Sequence, residues 1–270
     1  MHAERVTTTT STWTGLVPVD DTALAVTDTG GPGRPVVYLN GQFATQAYWR
    51  RVVAELGGAF RHITYDMRAR GRSGRSADYS FEANVRDVGA VLAARGVERP
   101  LLAGWSYGAP VALHWASRNP ERVLGVVCVD GAYPYDFSYA EERIRRLWRR
   151  SAWLLPLLAR MGMAARMSAR QHADSNIELC EIYAALGPVL DSVPFPVRYV
   201  AATGGNLGGG RAEMESMRDS LAPVLARNPN IKVSAKVASN HGTILRKDFR
   251  AVADAVRELA AAAPHVGGAG

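Results

Sequence analysis

The run Gly104-Trp105-Ser106-Tyr107-Gly108 carries the clearest chemistry in this 270-residue chain. It matches Gly-x-Ser-x-Gly and lies between an apolar strand pattern and a helical pattern. Glycines at both ends permit a tight strand-to-helix turn. Such a turn holds the serine hydroxyl above a sheet, at a helix N-terminus. A hydroxyl placed there is a nucleophile for acyl chemistry once a base lies beside it. Six histidines are available: His2, His62, His114, His172, His241 and His265. His2 and His265 lie in the terminal segments, and His62 lies in or beside a strand pattern. His114 is two turns into the helix after Ser106, and His172 falls in a long helical stretch. His241 sits in Ser239-Asn240-His241-Gly242, past the last strand pattern and before the last helix. Loops at the carboxyl ends of strands are where α/β sheets place catalysis, so His241 is the expected general base.

These residues need a scaffold. Short β-branched runs alternate with helical patterns, the mark of a parallel sheet with crossover helices. Strands are expected over residues 24–28, 36–39, 62–65, 100–104, 123–129, 197–201 and 232–237. Val36-Val37-Tyr38-Leu39 and Val126-Val127-Cys128-Val129 are continuous apolar runs, as strands covered on both faces require. Helices fit 49–55, 81–95, 107–118, 211–227 and 249–262. Residues 134–193 show no strand pattern. Helical patterns there cover 139–153, 154–161, 164–173 and 177–186. A block this long between two sheet strands reads as an inserted helical cap, because ordinary connections run about 2–6 residues outside their helix. The expected organisation is an α/β core (13–133 and 194–262), a cap (134–193), and flexible tails (1–12 and 263–270).

Four segments, taken together, resemble the α/β-hydrolase superfamily over roughly residues 20 to 260. They are Asn40-Gly41-Gln42-Phe43, Asp66-Met67-Arg68-Ala69-Arg70-Gly71-Arg72-Ser73, Gly104-Trp105-Ser106-Tyr107-Gly108 and Asn240-His241-Gly242. The resemblance implies a mostly parallel sheet flanked by helices, and a nucleophile–base–acid relay with backbone oxyanion donors. Ser106 would attack a carbonyl, and His241 would take its proton and return it to the leaving group. The amides of Tyr107 and Gln42 are the implied oxyanion donors. The family's His-Gly dipeptide reads Asn40-Gly41 here, a departure that leaves the backbone amide in place.

In most relatives the acid follows the strand after the cap. Here that stretch is Val200-Ala201-Ala202-Thr203-Gly204-Gly205-Asn206, and an asparagine has no charge to stabilise an imidazolium. Asp130, at the carboxyl end of the preceding strand, is the expected acid, an arrangement similar to that of certain lipases and lactone hydrolases. Glu213 or Glu215 from the following helix is the alternative, and a missing acid is the third reading. Asn206→Ala is therefore expected to cost far less than Asp130→Asn. Asp66, Arg68, Ser73 and Ser76 read as loop-supporting residues.

Haloalkane dehalogenases and epoxide hydrolases need an aspartate at the elbow, so Ser106 points to acyl chemistry. The implied activity is hydrolysis of a carboxylic ester or lactone through an acyl-enzyme. Carbon–carbon bond hydrolysis, thioester hydrolysis, acyl transfer and cofactor-free perhydrolysis use the same relay. A non-catalytic ligand receptor is the reading from another class. Aromatic and methionine side chains of the cap suit an apolar small-molecule substrate. Phe43, Trp105, Tyr133, Trp148 and Trp153 are the expected pocket residues. No metal or organic cofactor is implied, since there is no histidine pair at ligand spacing and no Gly-x-Gly-x-x-Gly after a strand.

Composition narrows the class further. Hydrophobic residues make up 47% and charged residues 21%, which excludes collagen-like and disordered chains. Cys128 and Cys180 form no metal spacing and no disulfide framework, and read as buried free thiols. No run approaches the roughly 18 apolar residues of a membrane span. The threonine-rich start lacks the apolar core of a signal peptide. A cytoplasmic protein with neither membrane nor nucleic-acid partner is the expectation. The excess of 32 basic over 25 acidic residues gives +7. Its densest run, Arg143 to Arg150, has helical spacing and reads as a solvated helix face.

Overall fold

The computed structural model describes residues 11–205 and 210–263 of the chain. One sheet holds β1 (Trp13–Val19), β2 (Thr22–Asp28), β3 (Arg34–Leu39), β4 (Phe60–Tyr65), β5 (Leu101–Trp105), β6 (Gly125–Val129), β7 (Val197–Ala202) and β8 (Ile231–Val237). Its order is β1-β2-β4-β3-β5-β6-β7-β8. β1 and β2 form an antiparallel hairpin, β2 meets β4 antiparallel, and the remaining neighbours are parallel. From β3 the chain goes to β4 on one side and returns to β5 on the other. The carboxyl ends of β3 and β5 therefore frame the switch point of the sheet, where open α/β sheets bind ligands.

The helices follow in chain order. They are α1 (Arg50–Leu56), α2 (Phe81–Ala94), α3 (Gly108–Arg118), α4 (Glu141–Ser151), α5 (Leu155–Arg160), α6 (Ala169–Ala184), α7 (Leu186–Ser192), α8 (Arg211–Asp219), α9 (Ala222–Arg227), α10 (Ile244–Lys247) and α11 (Phe249–Ala262). Strand alternation divides the core between them. Val37, Leu39, Leu102, Cys128 and Tyr199 pack with α2 and α3 on one face. Val36, Tyr38, Leu101, Val127 and Val129 pack with α1 and α11 on the other. Side chains of this kind contribute about 1.5–3 kcal/mol each when fully buried.

Several expectations need correction. β1 lies outside the expected strands, yet it pairs along its whole length with β2. Its outward positions are Thr14, Leu16 and Pro18, which break the apolar–polar alternation, but it is an edge strand, where proline is tolerated. The single helix expected over 211–227 is two, α8 and α9, with Pro223 in the first turn of α9. The two helices expected over 164–173 and 177–186 are largely one, α6. A Ser168–Gln171 capping box starts it, and nothing between 173 and 177 breaks it.

Asp28 fastens the β2 end of the sheet. Its carboxylate accepts from Arg61 Nε (3.0 Å) and Nη2 (2.7 Å) and from Arg95 Nε (2.9 Å). Burial pushes this carboxyl up, but the bonds from Arg61, the Gly30 amide and Arg95 outweigh it and hold it down to about 2. A depressed carboxyl stabilises the fold above its ordinary value near 4 and loses that contribution as pH falls toward the folded value. Melting temperature should therefore fall between about pH 4 and pH 2. Asp28→Asn should melt lower at neutral pH and lack that part of the decline.

Candidate active site

The Ser106 turn is built by close approach. A Cβ on Gly104 would lie 2.3 Å from the Gly108 carbonyl oxygen, and one on Gly108 would lie 2.3 Å from that of Leu39. Only glycine lets α3 seat this tightly on β5 and β3. Ser106 itself has φ 54°, in the left-handed region that an L side chain adopts at a cost. Its amide donates to Val129 O (3.0 Å), and its carbonyl accepts from Ala109 N (3.1 Å). Trp105 pairs with Val129 in the β5–β6 register, so the residues that follow, Ser106 and Asp130, leave the sheet side by side.

His241 enters from the loop after β8. Its amide donates to Gly205 O (3.3 Å), and its carbonyl accepts from Trp105 Nε1 (3.2 Å). The imidazole bridges the other two groups, with Nε2 2.9 Å from Ser106 Oγ and Nδ1 2.8 Å from Asp130 Oδ2. Asp130 also accepts from Arg218 Nε (2.9 Å) and Nη2 (3.0 Å), Ala202 N (3.1 Å) and Tyr133 OH (3.4 Å). Burial raises this carboxyl, but the bonds from His241 and Arg218 prevail and hold it below its ordinary range. The bond to Ala202 N shows how far the side chain reaches. Asp130 is carried by β6, yet its carboxylate sits at the end of β7.

The competing residues are otherwise engaged. His62 bonds Tyr38 OH and Gly57 O, and His114 packs edge-on against Phe81. His172 is buried and stacked on Trp148, and burial lowers it to about 4. Glu213 accepts from Arg143 and Tyr139, and Glu215 pairs with Arg211. Asn206, His2 and His265 lie outside the described residues.

Two loops carry the amides expected to bind an oxyanion. Asn40, which stands where the resemblance has histidine, donates to Tyr65 O and accepts from Trp49 Nε1, so it serves as a brace. Gln42 O accepts from the buried Arg70 (2.8 Å). The Gln42 side chain donates to Ser175 Oγ and accepts from Asn176, both on α6. The amides of Gln42 and Tyr107 donate to no acceptor among the described residues.

A cavity of about 240 Å³ lies above Ser106, Asp130 and His241. Phe137, Ile144 and Leu147, then Leu179, Cys180 and Tyr183, and then Met214 and Met217 form its apolar wall. Asn176, Arg143 and Glu213 add polar groups. None of the five aromatics expected to line a pocket lines this cavity. Trp105 is buried, stacked on Tyr48 and packed against the His241 ring. Phe43, Trp148 and His172 form their own cluster. Tyr133 is buried against Tyr199, and Trp153 is 79% exposed. The true lining residues recur at three- and four-residue spacing on α4, α6 and α8. That spacing is visible in the sequence once the helix phases are known.

Comparison with known proteins agrees with this architecture. A family model for the alpha/beta hydrolase fold matches residues 34–155, which include Ser106 and Asp130. A haloalkane dehalogenase of Mesorhizobium japonicum is 30% identical over 121 residues, 44% of this chain and 39% of that one. A pimeloyl-[acyl-carrier protein] methyl ester esterase of Edwardsiella ictaluri is 35% identical over 100 residues, 37% of each chain. The chain thus spans about two fifths of the length of these curated relatives. Among solved structures, a thermophilic esterase from Thermogutta terrifontis superposes with TM-score 0.70 at 20% identity, covering 93% of this chain and 98% of that one. By its sheet order, its strand–serine–helix turn and these matches, the chain has the α/β-hydrolase fold.

Proposed function

We propose that the protein is a serine hydrolase that cleaves a carboxylic ester or lactone through an acyl-enzyme. The observation that carries this reading is the continuous hydrogen-bonded chain from Asp130 through His241 to Ser106, at 2.8 and 2.9 Å. Ser106 Oγ adds to the substrate carbonyl carbon as His241 Nε2 takes its proton. The amides of Tyr107 and Gln42 hold the oxyanion, and each such donor is worth about 10²–10³ in rate. Collapse expels the alkoxide, which His241 protonates. Water, activated by the same nitrogen, then releases the acid and restores Ser106. Asp130 keeps the Nδ1–H tautomer and stabilises the imidazolium.

Dehalogenation does not suit this site. Displacement of a halide by Ser106 would leave a serine ether, which has no carbonyl for water to attack, whereas a carboxylate nucleophile would leave a cleavable ester. The test is labelling by a fluorophosphonate probe together with turnover of a panel of p-nitrophenyl esters and lactones. Labelling that maps to Ser106, with turnover of at least one ester, supports the reading. An intact protein that neither labels nor turns over any of them refutes it.

Arg218 has a positioning role in this mechanism. It grips both carboxylate oxygens of Asp130, and its Nη1 donates to Gly204 O (2.9 Å) in the loop whose Gly205 carbonyl receives the His241 amide. Its cation also offsets part of the charge that Asp130 presents to His241. In Arg218→Met turnover should drop about 10- to 100-fold as the acid loosens, and Arg218→Lys should restore part of it. Unchanged turnover in a folded Arg218→Met variant would reduce Arg218 to a packing residue.

A further inference from the structure

Trp153 leads to a surface that the hydrolytic reading leaves unused. Eight large hydrophobic side chains are exposed among the described residues, and six of them fall between Tyr139 and Met163. Chance scatter over the surface would not concentrate them so. Within this stretch Arg149, Trp153, Leu157 and Met161 recur at intervals of four. All four are exposed, Trp153 in the turn that joins α4 to α5. Trp153 is 79% exposed and Met161 62%. The charge on the same stretch is one-sided. Residues 141–163 hold six arginines and two glutamates. Arg143, Arg145 and Arg146 are paired with acids, whereas Arg149, Arg150 and Arg160 have no ion pair among the described residues. Exposed tryptophan, leucine and methionine flanked by unpaired arginine is the composition of a segment that lies in a lipid interface.

We infer that the α4–α5 face docks the protein on an anionic bilayer, with Trp153, Leu157 and Met161 entering the headgroup region and Arg149, Arg150 and Arg160 meeting lipid phosphates. No helix among the described residues is long and apolar enough to cross a membrane, and the inferred contact is with the bilayer surface. A second copy of the chain is a poorer occupant. A two-fold contact would set these arginines against each other, and Glu141 and Glu142 are already paired within the helix. The surface also adjoins the site. Leu147 is exposed and at the same time lines the cavity above Ser106, so that cavity opens beside this face.

The test is co-sedimentation of the full chain with vesicles of phosphatidylcholine alone and with added phosphatidylglycerol, at low and high salt. It needs no enzymatic activity, so it stands or falls apart from the proposed hydrolysis. Binding should require the anionic lipid and weaken with salt. The triple variant Trp153→Ser, Leu157→Ser, Met161→Ser should bind at least about tenfold more weakly. The triple variant Arg149→Glu, Arg150→Glu, Arg160→Glu should lose about a hundredfold and its salt dependence. Both should keep the wild-type melting temperature and turnover of a soluble ester. No binding to anionic vesicles, or equal binding by the variants, overturns the inference. So does sedimentation velocity showing a dimer that the first variant dissociates, because a second copy then covers the face.

Discussion

Ser106→Ala should cut turnover of a carboxylic ester by about 10⁴–10⁶-fold while the protein still folds. Alanine keeps the Cβ that the φ 54° backbone already accommodates, so only Oγ and its bond to His241 are lost. The backbone bonds of the turn, Ser106 N to Val129 O and Ala109 N to Ser106 O, do not involve the side chain. The melting temperature should therefore barely move. Ser106→Gly gives a second, opposite-signed readout. Glycine enters the left-handed region freely, so this variant should be as inactive as alanine yet more stable by about 1 kcal/mol. An alanine variant that keeps a tenth of the activity would show that another group is the nucleophile.

The legible part of the site was the part encoded by local order. Ser106 announces itself through glycines two residues away on each side, because strand-to-helix packing excludes any Cβ there. His241 and Asp130 were readable as residues ending strands that a parallel sheet must bring to one edge. Arg218 was not readable. Its partner lies 88 residues away in sequence, and an exposed-looking arginine on a helix carries no local mark of burial. The cavity wall was missed for a related reason. Aromatic residue type does not mark a pocket wall, because helix phase decides which side chains face the site. Phase turns Leu179 and Tyr183 of α6 toward Ser106, whereas Trp153 sits in the turn between α4 and α5, in solvent. Asn40 shows a departure from a motif absorbed by structure, because its amide braces Tyr65 and Trp49.

Asp130→Asn should cut turnover about 10⁴-fold. An asparagine can still accept from His241 Nδ1, but it carries no charge to stabilise the imidazolium formed when Ser106 attacks. Its amide nitrogen can also donate to Nδ1 and select the wrong tautomer. The same substitution leaves Arg218, whose side chain is 9% exposed, without its carboxylate. Removing one partner of a buried ion pair costs about 3–5 kcal/mol, so a loss of activity in this variant alone would be open to a trivial reading. The double variant Asp130→Asn, Arg218→Met separates the two effects. It removes the stranded cation together with the charge it faced, and its melting temperature should return most of the way to wild type. Its turnover should stay depressed by about three to four orders of magnitude, because the deficit lies in the imidazolium and not in the fold. A double variant that regains activity to within about tenfold (roughly 1.4 kcal/mol of barrier) would make Asp130 a structural anchor for Arg218. The base would then work without an acid behind it.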